Sequence, residues 1–599
     1  MTRPRIVWWR RIPARALGVF VLFLLYVWVR LEPAVEYQSA RPIFYLSHAF
    51  FRGFLRHPAG LVEYAAAFLA QLNYYNWLAA AVFTAMCVLI FLASNWWLRR
   101  VSGAPAPLAA FGPAFLMLYL RERPNDPALV LGLGLLLAMG FAMSCVLWAG
   151  ARAWLRWVVW PLCVALLYFV AGLWPATLFV ALTGLYEILA RQAWALGGGC
   201  CLMGLLGIFG TIWFCNVADP FVPPGQGMSL TAAAILYLYV PVASLALAAL
   251  RGTVPRARTN GARATSGRQW FEGRLVKGTL AASVFLLGWG LVWFGFDPQN
   301  KALAQIDYYN SRGEYGKALA IAANLKQIGP STRIRLWFDL YHTGRLGDDL
   351  FSFGAPARYE MLTGVGLGKD TCRAQSRTYL ELGQVDEAEH LAHEALENEG
   401  ETPETLRLLA EINVLKGRLR AARVFLSVLS LAPFERTWAQ GCLRSLETDP
   451  TLSGNPELRQ IRSRLASTDM VHYYTPTEGL LLQLLDANPT NQMAFEYLMS
   501  YYLLSREGNK FVERLGRLNN FGYAGVPRNW EEAVVLFQKL NGEAADLHGR
   551  QIRPGTLRRF EQYCQAAAPA QAQTAEGRRI LARDFGHTYW YYHDFGSTQ

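Results

Sequence analysis

Apolar residues are unevenly spread along the chain: up to about Phe296 they form long runs separated by short polar stretches, and beyond it they are dispersed. A helix that crosses a bilayer needs about 20 mostly apolar residues. Nine runs fit that template, at roughly 12–29, 77–98, 105–120, 128–150, 157–173, 175–190, 194–215, 229–250 and 278–296. The third, fifth and sixth are short, and Trp174-Pro175 can equally be the tip of a re-entrant hairpin. Trp and Tyr stand near many of the ends, where interfacial anchors belong. Residues 297–599 show no period-two alternation and carry many Ala- and Leu-rich amphipathic stretches, which predicts helices. The expected fold is all-α: a transmembrane domain over 1–296, then a soluble helical-repeat domain over 297–599.

Between the first two runs lies a loop at 30–76. Its segment "PIFYLSHAFFRGFLRHP" places Phe44, Phe51, Phe54 and Leu55 on one side of a helix, with Arg52 and Arg56 elsewhere. After a break at Pro58–Gly60, Leu61, Tyr64, Ala65, Phe68 and Leu72 recur at helical spacing. Two helices lying along the membrane surface are expected here.

Charge orients this arrangement. The net charge is +13, and the excess sits in the first half, which holds about 23 basic and 8 acidic residues. Arg3, Arg5, Arg10, Arg11 and Arg15 precede the first run, and Arg99, Arg100, Arg152, Arg156, Arg191 and the cluster from Arg251 to Lys277 fall in loops on the same side. Basic residues collect in cytoplasmic loops. The N-terminus is therefore expected in the cytoplasm of a bacterial inner membrane, and residues after Phe296 outside it. No A-x-A cleavage site follows the first run, so that run reads as a retained anchor. The same charge pattern, with no RNA- or DNA-binding motif, argues against a nucleic-acid partner.

Composition adds a limit: 53% hydrophobic and 17% charged residues are too apolar for a wholly soluble protein. Nine cysteines form no CxxC or Cys/His metal spacing, and the sequence chooses no disulfide among Cys372, Cys442 and Cys564. No P-loop, GxSxG or HExxH motif occurs. Glu187, with Arg191 four residues on, reads as a snorkelling pair.

Candidate chemistry is left to the outward loops. The first holds Glu32, Glu36, Arg41 and Arg52; the second, "LRERPNDP", holds Arg121, Glu122, Arg123 and Asp126. Arginine forks suit a phosphate, and a carboxylate can act as a general base or hold a divalent cation. That combination at a membrane surface fits a phosphate-bearing lipid substrate. Solvated exit charges are the plainer reading.

Three resemblances follow. "YYNSRGEYGKALAIAANLKQIGP", "YLELGQVDEAEHLAHEAL" and "LLAEINVLKGRLRAARVFLSVLSLAP" align on Gly313, Gly383 and Gly417, the last two 34 residues apart. This resembles tetratricopeptide repeats, whose arrays expose a concave surface for partners. "HTGRLGDDL" (Gly344) and the stretch from about 490 to 515 look like degenerate copies. The membrane half resembles the GT-C glycosyltransferase superfamily, with an acidic residue soon after the first span, a first outward loop running along the membrane and an outward soluble domain. That resemblance implies Glu32 or Glu36 as the catalytic carboxylate, Glu122 or Asp126 holding substrate or metal, and a lipid-linked sugar donor. The acidic pair one residue apart that is usual there is missing, since Glu32 and Glu36 are separated by Pro33, Ala34 and Val35. Finally, "HPAGLVEYAAAFLAQLNYYNW" and "GHTYWYYHDFG" resemble an uncharacterised group of bacterial membrane proteins with repeat-bearing tails. Two other functions stay open: a scaffold recruiting envelope proteins through the repeats, and a transporter or flippase. The spans' near freedom from charge argues against the last.

Overall fold

The computed structural model describes residues 14–40, 43–102, 106–122, 128–148, 153–190, 198–199, 202, 204, 230–252, 282–325, 328–353, 362, 371–465, 477–567 and 574–596. Among the described residues every regular element is a helix. Contacts divide the chain into two units: Met1–Gln38 with Leu46–Lys301, and Ser39–Tyr45 with Ala302–Gln599.

In the first unit, Asn76–Ser102 and Ala128–Leu147 are long and apolar enough to cross a membrane. Shorter apolar helices accompany them at Ala16–Leu31, Pro107–Arg121, Val158–Ala171, Leu173–Leu189, Ala234–Ala249 and Ala282–Gly295. The expected run at 194–215 lies almost wholly outside the described residues. The break between the fifth and sixth expected runs falls at Gly172, not at Trp174-Pro175. Gly172 has φ 90°, and a Cβ there would stand 3.1 Å from that of Ala59. Large apolar side chains point out of these helices: Val158, Leu162, Leu166 and Phe169 form an exposed stripe along one helix face, and Phe294 is 89% exposed. Exposed apolar surface of this kind is rare on soluble monomers.

The loop helices form at His48–Phe54 and Gly60–Ala70, and Ser47 caps the first by accepting from the Phe50 N–H. They meet through Tyr64, whose ring packs edge-on against Phe51 and Phe54. Two expectations need correction. Phe44 precedes the first helix, is fully buried and belongs to the second unit. The buried side of Gly60–Ala70 carries Val62 and Ala66, while Phe68 from the expected stripe is half exposed. Small residues on that side let the helix lie close against its neighbours, and a helix with one charged residue, Glu63, and apolar side chains on every side gives little sequence cue to which side is covered.

The second unit repeats one local motif. At Gly313, Gly344, Gly383 and Gly417 the φ angle is positive, between 67° and 95°. At each, the glycine N–H bonds the carbonyl three residues back, and the next N–H bonds the carbonyl four residues before the glycine, as in Gly383 to Leu380 and Gln384 to Tyr379. This Schellman closure satisfies orphan carbonyls and needs the left-handed conformation that glycine adopts freely. A second helix begins within two residues of each. Arg506 makes a fifth such turn, with φ 58° and the bonds Arg506 N–H to Leu503 and Glu507 N–H to Tyr502. Successive pairs are in register. Arg377 and Glu411, each six residues before its glycine, bond at 2.9 Å. Leu408, Leu409 and Ile412 are buried in the core of this unit, each such side chain contributing roughly 2 kcal/mol.

The "GHTYWYYHDFG" stretch closes that core. Thr588 caps the helix Tyr589–Phe595, and Trp590 is fully buried, with its indole N–H bonded to the Glu532 carbonyl at 2.7 Å.

Candidate functional site

Pro33 decides the shape of the first exit. It has no N–H to continue the ladder and disfavours a right-handed Glu32 before it. The preceding turn, Tyr26–Leu31, widens to a π-helix, and the Glu32 N–H reaches back to the Val27 carbonyl at 3.1 Å. Glu32 itself is left-handed, at φ 50° and ψ 66°, although a residue before proline is usually extended. The chain then enters the helix Pro33–Ala40. Single π turns and left-handed non-glycine residues both concentrate at functional sites.

Two acids attach to this one turn. The Tyr26 hydroxyl donates to Glu122 Oε1 at 2.6 Å. Glu122 stands one residue past the helix Gly112–Arg121. Its Oε2 is buried with no hydrogen-bond partner among the described residues. Burial pushes the Glu122 carboxyl up to about 7, against the pull of the Tyr26 hydroxyl and the nearby Arg30 guanidinium. Gly295 makes room for it, since a Cβ there would stand 2.7 Å from Oε2. At the other end of the turn, Lys301 Nζ pairs with Glu32 Oε2 at 2.9 Å and donates to the Arg30 carbonyl at 2.6 Å. The Arg30 guanidinium lies over Phe296, 4.0 Å from the ring centre, and near Trp293.

Of the residues predicted for the site, the structure brings Glu32 and Glu122 to this turn, with Arg121 buried beside Glu122 in sequence. Arg52 is exposed on the helix His48–Phe54. Glu36 is in the helix Pro33–Ala40, and its side chain, like Arg41, Arg123 and Asp126, lies outside the described residues. Glu187 is buried, and its expected partner Arg191 also lies outside them. Sequence reasoning missed Tyr26, Arg30 and Lys301. Arg30 was visible as a cation directly after an apolar run; Tyr26 and Lys301 carry no local signal.

Among the described residues no three His, Cys, Asp or Glu side chains gather around one point, and Glu32 already faces an ammonium group. What the cluster offers is an acid poised near neutrality, with one oxygen facing no donor among the described residues and the Arg30 guanidinium nearby.

A family profile described as a family of unknown function (DUF6057) matches residues 8–596. No curated protein and no solved structure matches the chain.

Proposed function

We propose that this chain, which belongs to the DUF6057 family of unknown function, is a bacterial inner-membrane glycosyltransferase of GT-C type with an extracytoplasmic tetratricopeptide-like domain. The observation that carries the reading is Glu122, a half-buried carboxyl raised to about 7, with the Arg30 guanidinium nearby and a buried Oε2 that meets no hydrogen-bond partner among the described residues. A general base works best with a pKa near the working pH. In the proposed step Glu122 takes the proton of an acceptor hydroxyl. The hydroxyl oxygen bonds to the sugar's anomeric carbon while the bond from that carbon to the lipid phosphate breaks. Arg30 and Arg121 balance the charge left on the phosphate, as arginine does for phosphates elsewhere.

Nine spans, an inward N-terminus and an outward second unit belong to this proposal. It is supported by the exposed apolar stripes of the first unit and by the loop charges. The register of helix pairs joined by left-handed turns supports the repeat assignment. Alkaline phosphatase fused after Gln599 is expected to be active and a green fluorescent fusion there dark; the reverse pattern would place the second unit in the cytoplasm.

A second reading, a non-catalytic scaffold, draws support from the Lys301–Glu32 ion pair, which neutralises one predicted catalytic carboxylate in place. Lipid extracts separate the two. A deletion strain is expected to accumulate a lipid-linked sugar that the complemented strain consumes. Identical profiles in both strains would leave the scaffold.

A further inference from the structure

The second unit includes a short segment that the sequence places far from it, Ser39–Tyr45. Ile43 packs against the cluster of Leu406, Leu429 and Ala439. Phe44 is fully buried and Tyr45 is 8% exposed. The Tyr45 hydroxyl donates to Glu401 Oε2 at 2.5 Å. Glu401 stands in the turn between the helices Val385–Glu399 and Pro403–Leu415, and Leu406 lies on the second of them. Residues 43–45 carry no helix or strand of their own. Their side chains make the visible contacts: an aliphatic one, a buried aromatic one and a phenol aimed at a carboxylate.

We infer that this face of the helix pairs is a peptide-docking site whose resident ligand is the chain's own Ile43-Phe44-Tyr45. The chemistry is that of an extended peptide on a helical array: apolar pockets take the side chains and a polar anchor sets the register. A three-residue contact tethered by the chain has the advantage of high effective concentration. An equivalent segment in trans therefore competes poorly with it while it is intact, and binds once it is removed. The inference rests on contacts within the second unit and is independent of any catalytic role for Glu122.

The test uses the full chain in detergent and a fluorescein-labelled peptide with the sequence of residues 39–48, SARPIFYLSH. The Phe44→Ala chain is expected to bind this peptide at least tenfold more tightly than the unmodified chain does. The peptide with Ile43 replaced by Asp should bind neither. Hydrogen exchange across Pro403–Leu429 should quicken in Phe44→Ala and slow again when the peptide is added. Equal binding by both chains, or none by Phe44→Ala with its helical circular dichroism intact, would overturn the inference. If Phe44→Ala loses its helical signal, Tyr45→Phe decides, because it deletes only the hydroxyl. Exchange across Pro403–Leu429 that quickens about fivefold supports docking, and unchanged exchange refutes it.

Discussion

Glu122→Gln is expected to lower turnover by about a hundredfold to ten-thousandfold, the usual effect of removing a general base, with abundance and membrane insertion unchanged. The amide keeps the shape of the side chain and can still accept from Tyr26, so the loss isolates ionisation. A base must be unprotonated, so the wild-type rate should rise with pH through about 7 as Glu122 loses its proton. That rising limb should vanish in the variant. Stability should move the other way. The folded-state value lies above the ordinary glutamate range of about 4.3, so the folded protein holds this proton more tightly than the unfolded one. The stabilisation is complete below about 4.3 and is lost as pH rises through about 7. The Gln variant cannot ionise, and above pH 7 it should melt no lower than the wild type. An inactive variant with an unchanged melt therefore identifies lost chemistry and not lost fold. Gly295→Ala, which sets a methyl group against Oε2, should also reduce turnover, by less. Glu32→Gln breaks a half-exposed ion pair, of a kind worth about 0–1 kcal/mol, and should change little. Full complementation of the deletion strain by Glu122→Gln would remove this turn from the chemistry and favour the scaffold.

Gly383→Ala is expected to destabilise the second unit by about 2–5 kcal/mol. Two costs combine. A left-handed residue with a Cβ costs roughly 1–2 kcal/mol, and φ at Gly383 is 95°. The new Cβ would also stand 2.2 Å from the Arg464 carbonyl oxygen, a backbone atom that cannot turn aside. Overpacking of this kind typically adds 1–3 kcal/mol. Moving Arg464 would disturb its guanidinium bonds to the Glu381 carbonyl and the Tyr341 hydroxyl. Gly417→Ala provides the comparison. It has the same local motif at φ 67° with nothing within 4 Å of its Cβ, so only the conformational cost of about 1–2 kcal/mol applies. Denaturant unfolding followed by circular dichroism should rank Gly383→Ala clearly below Gly417→Ala. Equal losses would mean that the approach of Arg464 to this turn is not maintained in solution.

The legible features are those that a few consecutive residues determine. The helical class follows from periodicity, because one face of each stretch must be covered. The turns at Gly313, Gly344, Gly383 and Gly417 could be read because a left-handed helix end has a strong local preference for glycine. The same logic explains the turn that was harder to see. At Arg506 the conformation is held by its surroundings, including the bond from its guanidinium to the Tyr592 carbonyl, and the residue type no longer announces it. Pro33 marked the end of the first helix, but not that Glu32 would close a π turn in the left-handed region.

Only the tertiary structure decided which distant groups meet. Tyr26 and Glu122 are 96 positions apart, Lys301 reaches back to Glu32 from the far end of the first unit, and Ile43-Phe44-Tyr45 lies in a segment, Ser39–Tyr45, that joins the second unit although the chain before and after it belongs to the first. Such pairings depend on which helix faces pack together, a sum of many small contacts spread along the chain. The loop acids could therefore be named from sequence as candidates, but their roles could not. One is held by an ammonium group and the other is half-buried against a tyrosine hydroxyl, and that difference comes from partners with no signature in the residues around them.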